Sequence, residues 1–172
     1  MRRLYLMRHG KAQAGMPPGG GDRERALVER GRRESRWMGA YCRDQSQPPT
    51  LILVSPARRT METGESFCEG FGETLPQKVA DGIYMGSPGS LLYTIAESGS
   101  SEAGVLVIGH NPGLHALALA LGRRGPGPAY AQLSTRFPTA ALAVFETGID
   151  DWAAFRAESA RLIDVKMAKE MR

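Results

Sequence analysis

The chain has 172 residues, of which 42% are hydrophobic and 23% charged, and its formal net charge is +4. This length and composition indicate one globular domain, spanning residues 1–172. Acidic residues are interspersed with the basic ones, so the charge favours an anionic ligand and argues against a nucleic-acid-binding protein, which would carry a clustered basic stripe.

The sequence also does not predict export, membrane insertion or metal binding. Cys42 and Cys68 lie in separate predicted helices without a CxxC pair, a pattern typical of buried residues in a cytosolic protein. The N-terminal apolar run breaks at Arg8 after four residues, which is too short for a signal peptide or a membrane span. The three histidines lack closely spaced carboxylates or cysteines. We therefore expect a cytoplasmic protein with no metal, cofactor or membrane partner.

The first elements in chain order are a strand, a loop and a helix. Arg3–Met7 is a continuous apolar run that predicts a central parallel strand buried on both faces. Gly10–Asp22 contains two prolines and three consecutive glycines, which predict an irregular, mobile flap. The spacing of Trp37 and Tyr41 then predicts one face of a helix, which should end near Gln45–Pro48.

Three dipeptides place a capping side chain directly before a proline, a pattern that predicts a helix start. They are Ser55-Pro56, Ser87-Pro88 and Asn111-Pro112. The first and last come shortly after the apolar runs Leu51–Val54 and Val105–Ile108, which predict strands. A helix that starts just behind a strand end directs its free amide groups towards an anion bound there.

The last part of the chain predicts a surface loop, two strands and a turn. Gly122–Pro128 alternates glycine and proline and is predicted to be a loop. Thr139–Phe145 reads as a strand, Gly148–Asp150 as a turn and Leu162–Val165 as a last edge strand. Alternating strands and helices predict a three-layer α/β/α sandwich with a mostly parallel central sheet and right-handed crossovers.

Charged side chains follow three of these strands. Arg8 and His9 end the first strand, Arg58 and Arg59 come shortly after the second, and His110 follows the strand from Val105. Because the carboxyl ends of parallel strands meet at one edge of a sheet, these side chains should share one crevice. Histidines and arginines gathered at strand ends indicate a phosphate site.

This pattern resembles the histidine phosphatase superfamily, the phosphoglycerate-mutase-like group. The resemblance lies in three motifs, namely Arg8-His9-Gly10, the spaced set Ser55, Arg59 and Thr63, and the pair Gly109-His110. It implies a phosphoglycerate-mutase-like fold and a catalytic set formed by Arg8, His9, Arg59 and His110.

The resemblance also implies a role for each member of this set. His9 would be the nucleophile that forms a covalent phosphohistidine. Arg8 and Arg59 would bind the phosphoryl oxygens, and His110 would donate a hydrogen bond to the same group as an imidazolium. The family spacing selects Arg59 over Arg58, and because neighbours on a helix differ by ~100°, only one of them should point into the site. The alternative for His110 is a structural histidine at a helix start.

A general acid is missing from the expected place. Many members of the superfamily carry a glutamate between the second and third motifs, but the segment 81–88 has none. Asp81 is the carboxylate nearby, and we expect it to form a turn before Gly82 rather than to donate a proton. An alkoxide leaving group needs a proton, whereas an imidazole leaves as a weaker base, so this absence favours P–N over P–O cleavage.

Further segments resemble the small bacterial phosphohistidine phosphatases of the SixA type. They are Asp22, Arg25 and Leu27, followed by Gly31-Arg32-Arg33, and Arg136–Ala141 followed by Trp152. Ala26 and Val28 replace the usual proline and threonine of this group. The resemblance implies a phosphatase that acts on a phosphohistidine-bearing protein, such as a phosphotransfer domain. Apart from the resemblance, we favour a monomer.

Two alternatives remain open at this point. One is a small-molecule phosphomonoesterase of the same superfamily, which would need an acid. The other is a non-catalytic module that binds phosphorylated ligands, although binding alone does not require a nucleophile beside the arginines. Gly15–Gly21 and the Arg123-Arg124 turn are expected to be solvated surface, with contact to a protein partner as the alternative.

Overall fold

The structure is a computed structural model that describes residues 1–98 and 101–171. Within these residues it has one six-stranded sheet and five α-helices. The strands are β1 (Arg2–Arg8), β2 (Leu51–Val54), β3 (Gln77–Val79), β4 (Gly104–Gly109), β5 (Leu142–Thr147) and β6 (Ala160–Lys166). The helices are α1 (Glu29–Arg43), α2 (Arg58–Phe71), α3 (Pro88–Glu97), α4 (Gly113–Gly122) and α5 (Gly127–Thr135).

The strand order is β3-β2-β4-β1-β5-β6. The pairs β2–β3, β2–β4 and β1–β4 are parallel, whereas β5 runs antiparallel to both β1 and β6. The predicted mostly parallel sheet is therefore confirmed. The carboxyl ends of β1, β2 and β4 lie side by side at one edge, which is the edge expected to carry ligands.

Alternate residues of the central strands pack on opposite faces of the sheet. Leu4 and Leu6 of β1 join one buried cluster with apolar residues of α3, α4 and α5. Tyr5 and Met7 join a second cluster with residues of α1 and α2. All four side chains are fully buried, and burying each leucine or methionine contributes about 1.5–3 kcal/mol. The predicted α/β/α layering is confirmed, and both cysteines lie buried in α1 and α2.

Close backbone contact joins the start of α1 to the loop that follows β1. A Cβ atom on Gly31 would lie 2.3 Å from the Lys11 carbonyl oxygen, and one on Gly10 would lie 2.7 Å from the Gly31 oxygen. Since neither position has room for a side chain, glycine at both allows the loop after His9 to rest directly on α1. This contact fixes the direction in which the first strand end leaves the sheet.

One of the three predicted helix caps is present. Ser87 accepts a hydrogen bond from the Ser90 amide at 3.1 Å and begins α3 as predicted. The predicted caps at Ser55 and Asn111 are wrong, because α2 begins at Arg58 and α4 at Gly113, without a side-chain cap. The side chains of Ser55 and Asn111 instead contact the site described below.

The predicted loop at Gly122–Pro128 is only partly correct. Gly122 ends α4, and Gly127 and Pro128 begin α5, where a proline in the first helical turn is well tolerated. The three-residue edge strand β3 has no clear signal in the sequence, whereas the predicted last edge strand is confirmed as β6. In the described part of the chain, no helix has the length and apolar character needed to cross a membrane.

Candidate active site

A cleft of about 420 Å³ lies at the carboxyl ends of β1 and β4. Its lining combines side chains from these strand ends with Arg59 of α2 and others from loops. The lining residues are Arg8, His9, Lys11, Ala12, Asp22, Arg25, Arg59, Tyr84, Met85, His110, Asn111 and Thr139. All four side chains of the predicted catalytic set therefore meet in one place.

His9 is held in one tautomer by its own loop. Its Nδ1 atom lies 2.7 Å from the Gly10 carbonyl oxygen, and since a carbonyl only accepts, Nδ1 carries the proton. Nε2 of the neutral ring therefore holds a free lone pair. Burial, together with the positive charges of Arg59 and Arg8, lowers the pKa of His9 to about 4, despite the hydrogen bond to Gly10, which raises it. The ring is neutral at pH 7, as a nucleophile must be.

Thr63 holds the same loop from α2. Its hydroxyl accepts a hydrogen bond from the Gly10 amide at 3.0 Å and donates one to the Arg59 carbonyl oxygen at 2.6 Å. The side chain is fully buried. This contact explains the place of Thr63 in the second motif, since it joins the loop of His9 to the helix that carries Arg59.

Arg59 and Arg58 point in different directions, as the helical geometry predicts. The side chain of Arg59 is 3% exposed and lines the cleft, with Nη2 3.2 Å from Nδ1 of His110. The side chain of Arg58 is 58% exposed and pairs with Glu62 at 2.9 Å on the outside of the helix. The spacing from Ser55 therefore identified the inward-facing arginine.

Arg8 enters the cleft from the end of β1. Its Nη1 atom donates to the Phe137 carbonyl oxygen at 3.3 Å, and Asn111 donates to the same oxygen at 2.8 Å. Burial, and then the charge of Arg59, lowers the pKa of Arg8. Two guanidinium groups that repel each other in a partly buried cleft are poised to bind an anion.

His110 lies beside His9, with ring centroids 5.3 Å apart. Because Arg59 only donates, Nδ1 of His110 accepts, and Nε2 donates to the Ser55 hydroxyl at 2.7 Å. Burial, followed by the neighbouring His9 and Arg59, lowers the pKa of His110 to about 3. The ring of His110 is therefore neutral at pH 7 in the free site, and the imidazolium expected with a bound phosphoryl group stays a prediction.

Asp22 is a member of the site whose place in the cleft was not predicted. Its carboxylate accepts hydrogen bonds from Tyr84 at 2.5 Å, Arg59 at 3.0 Å and Arg25 at 3.1 Å. These bonds, led by that from Tyr84, hold the pKa of Asp22 well below its usual range. Its backbone oxygen also accepts from Arg59 at 2.8 Å. The sequence signalled Asp22 only as part of a secondary motif.

Tyr84 is the second unpredicted member. Its ring makes a T-shaped contact with that of His110 at a centroid distance of 5.4 Å, and the Arg23 guanidinium lies over the face of Tyr84 at 4.2 Å. The loop that follows it is pressed against α4, because a Cβ on Gly113 would lie 1.8 Å from the Gly86 carbonyl oxygen. The segment that lacks a glutamate therefore contributes a phenol to the cleft.

Two other predicted residues lie outside the cleft lining. Asp81 begins a short 3-10 turn and accepts the Tyr84 amide through its backbone oxygen, as expected of a turn former. His115 lies within α4, donates to the Leu133 carbonyl oxygen at 2.8 Å and stacks on Phe137. Among the residues that the structure describes, no group of three or more His, Cys, Asp or Glu side chains could hold a metal ion.

Comparison with known proteins agrees with this geometry. The model of histidine phosphatase superfamily branch 1 matches residues 4–83. An uncharacterised Mycobacterium tuberculosis protein is 31% identical over 159 residues, which cover 91% of this chain and 96% of that protein. The chain belongs to the histidine phosphatase superfamily, a class of phosphatases.

Within this superfamily the chain is of the SixA type. A structure assigned as the phosphohistidine phosphatase SixA of Nakamurella multipartitia has a TM-score of 0.81 and 26% identity, covering 96% of this chain and 95% of that one. One assigned as SixA of Agrobacterium tumefaciens has a TM-score of 0.77 and 30% identity, covering 96% and 98%. A mycobacterial glucosyl-3-phosphoglycerate phosphatase shares the fold, with a TM-score of 0.62, 18% identity and coverage of 94% and 96%.

Proposed function

We propose that this protein removes the phosphoryl group from phosphohistidine in proteins through a covalent intermediate on His9. One observation carries this choice of substrate. Among the described residues that line the cleft, Asp22 has the one carboxylate, and three hydrogen-bond donors hold it ionised. An ionised carboxylate cannot supply the proton that an ester's leaving oxygen requires. An imidazole leaving group is a weaker base than an alkoxide and therefore depends less on a proton from the protein.

The first step is attack by Nε2 of His9 on phosphorus. A bond forms between Nε2 and phosphorus while the P–N bond of the substrate breaks, and its electron pair stays on the substrate's imidazole nitrogen. The hydrogen bond from Nδ1 to Gly10 fixes the ring so that the lone pair is available. Water then attacks the phosphorus of the intermediate. The new P–O bond forms as the bond between phosphorus and Nε2 of His9 breaks, the electron pair returns to Nε2, one proton of the water passes to the solvent, and inorganic phosphate is released.

Arg8, Arg59 and His110 stabilise the phosphoryl group in this proposal. The guanidinium groups bind its equatorial oxygens, where negative charge accumulates during transfer. A bound phosphoryl dianion favours the imidazolium form of His110, which raises the pKa that is low in the free site. Nδ1 of His110 then donates to a phosphoryl oxygen, while Nε2 keeps its bond to Ser55.

The partner we propose is a phosphorylated protein such as a phosphotransfer domain. Names given to similar proteins support this choice, since the structures from Nakamurella and Agrobacterium are assigned as phosphohistidine phosphatases. The cationic residues Lys11 and Arg25 also line the cleft, and Lys11 is exposed. They add positive charge around the path of an incoming phosphoryl group.

A small-molecule phosphomonoesterase is the second candidate, and Tyr84 is the observation that favours it. The Tyr84 hydroxyl lines the cleft, and its hydrogen bond to Asp22 raises its pKa, so the phenol is protonated at pH 7. A protonated phenol beside His110 can donate a proton to a leaving oxygen. The hydroxyl proton of Tyr84 is already donated to Asp22, so the phosphomonoesterase is the weaker of the two candidate functions.

A direct comparison of substrates tests the proposal. Dephosphorylation of a histidine-phosphorylated phosphotransfer protein is measured beside p-nitrophenyl phosphate and sugar phosphates, in metal-free buffer. We expect the phosphoprotein to be preferred and His9→Ala to abolish its turnover, while His115→Gln, outside the cleft lining, keeps it. Faster turnover of the phosphomonoesters by the wild-type protein would favour the second candidate instead.

A further inference from the structure

We propose that Asp22 determines specificity by accepting a hydrogen bond from the imidazole of the substrate phosphohistidine and so holding a proton on this leaving group. The inference rests on the proposed function and adds the residue that distinguishes P–N from P–O substrates. It concerns a carboxylate that the attack by His9 does not itself use.

The contacts of Asp22 leave space for one more donor. Oδ2 accepts from Arg59 and Tyr84, whereas Oδ1 accepts from Arg25 alone. A carboxylate has about four acceptor positions, so Oδ1 retains one. The side chain is 33% exposed and belongs to the cleft lining, which makes this position accessible to a ligand.

The same contacts fix the carboxylate relative to the phosphoryl group. Asp22 is bonded through both its backbone and its side chain to Arg59, which we propose binds phosphoryl oxygens. An imidazole attached to that phosphorus therefore enters the cleft beside Asp22. Phosphate binding and recognition of the leaving group are joined through one guanidinium.

A carboxylate beside phosphohistidine can affect how easily its P–N bond breaks. One ring nitrogen carries phosphorus, and the other either holds a proton or is bare. With the proton in place, breaking the P–N bond returns the electron pair to the first nitrogen and releases neutral imidazole. Without it, the leaving group is an imidazolate, which is a much stronger base. A neighbouring negative charge favours the protonated ring, so it lowers the barrier without donating a proton.

The effect on a phosphate ester has the opposite sign. Negative charge develops on the leaving oxygen, and a fixed carboxylate nearby repels it. Asp22 also competes with an ester's phosphoryl group for Arg59, without any compensating hydrogen bond from the leaving group. The residue should therefore favour one class of substrate and disfavour the other.

Asp22→Asn tests this difference, because asparagine keeps the shape and removes the charge. On the phosphohistidine protein at pH 8, we expect kcat/KM to fall about tenfold, the size of one charge-assisted hydrogen bond. On p-nitrophenyl phosphate we expect a rise of about threefold. Asp81→Asn, which removes a carboxylate outside the cleft lining, should leave both rates unchanged. Tyr84→Phe keeps the charge of Asp22 and should move both rates in the same direction.

The pH profile gives a second readout that a structural role would not change. In the wild-type protein, turnover of the phosphoprotein should persist to a pH about one unit higher than in Asp22→Asn, because the carboxylate retains the proton on the substrate ring. At acidic pH the ring is protonated in any case, so the two proteins should converge.

Different experimental results would overturn the proposed role of Asp22 and the proposed function. Equal loss on both substrates with an unshifted pH profile would mean that Asp22 only positions Arg59, which overturns this inference and leaves the proposed function intact. Absence of phosphohistidine turnover in the wild-type protein, with His9-dependent hydrolysis of p-nitrophenyl phosphate, would overturn both.

Discussion

The floor and the rim of the cleft differ in where their side chains come from. The floor consists of Arg8, His9, Arg59 and His110, which follow strand ends or lie in the first turn of α2, and both histidines and Arg59 are buried. The rim includes Asp22 and Tyr84, which belong to short turns and are partly exposed. The sheet thus fixes groups for phosphoryl chemistry, whereas loops, which vary freely, supply groups that can select the substrate.

The largest effect is expected on the floor, from the two adjacent arginines of α2. Arg59→Ala removes a buried guanidinium beside His110, and we expect kcat/KM to fall by about 10²–10³, as for the loss of a donor to transition-state charge. Arg58→Ala removes an exposed guanidinium and should change kcat/KM less than about twofold. Comparable losses in the two variants would contradict the division between inner and outer arginine.

Alanine substitutions at two glycines test how closely α1 packs against the loop that follows His9. Gly31→Ala places a Cβ 2.3 Å from the Lys11 carbonyl oxygen, so we expect the free energy of unfolding to fall by about 1–3 kcal/mol. A Cβ on Gly15 meets nothing within 4 Å, and Gly15→Ala is the matched control. Urea denaturation of both variants measures the difference, and an unchanged midpoint for Gly31→Ala would contradict the close packing.

The low pKa values of the floor histidines predict unusual acid tolerance of the free site. His9 is neutral down to pH of about 4 instead of 6.5, so kcat/KM, corrected for ionisation of the substrate, should not fall between pH 7 and 5. Stability should behave differently. Between pH 6.5 and 4 an unfolded chain protonates His9 and His110 while the folded chain does not, so the free energy of unfolding should fall as pH falls. An acid limb near pH 6.5 would contradict the burial of His9.

The smallest effect is expected far from both floor and rim. Arg123 and Arg124 follow the end of α4, and the start of that helix lies near the cleft, about 15 Å away along its axis. Replacing both by serine should leave the kinetics on a phosphoprotein unchanged. A rise in KM on that substrate alone would instead identify them as a docking contact.

The sequence predicted the floor well because its signals are local. An apolar run followed by a charged residue identifies a strand end, and the resemblance to the family motif of Ser55, Arg59 and Thr63 selects Arg59 over its neighbour. Asp22 and Tyr84 gave no comparable signal, since their positions depend on contacts such as Gly86 with Gly113. The predicted helix cap at Ser55 is wrong for the same reason, since it depends on a distant contact. Ser55 lies two residues before the N-cap of α2, and its hydroxyl accepts a hydrogen bond from His110.

The central place of β1 in the sheet has a consequence for synthesis of the chain. This strand is translated before its neighbours β4 and β5, so Arg3 can pair with Gly104 on one side and Glu146 on the other only after those residues have been made. Pairing across such separations is slow compared with local contacts. A nascent chain that has not yet reached β4 therefore leaves both edges of β1 open, and His9 at its end has no cleft around it until His110, which follows β4, has been made.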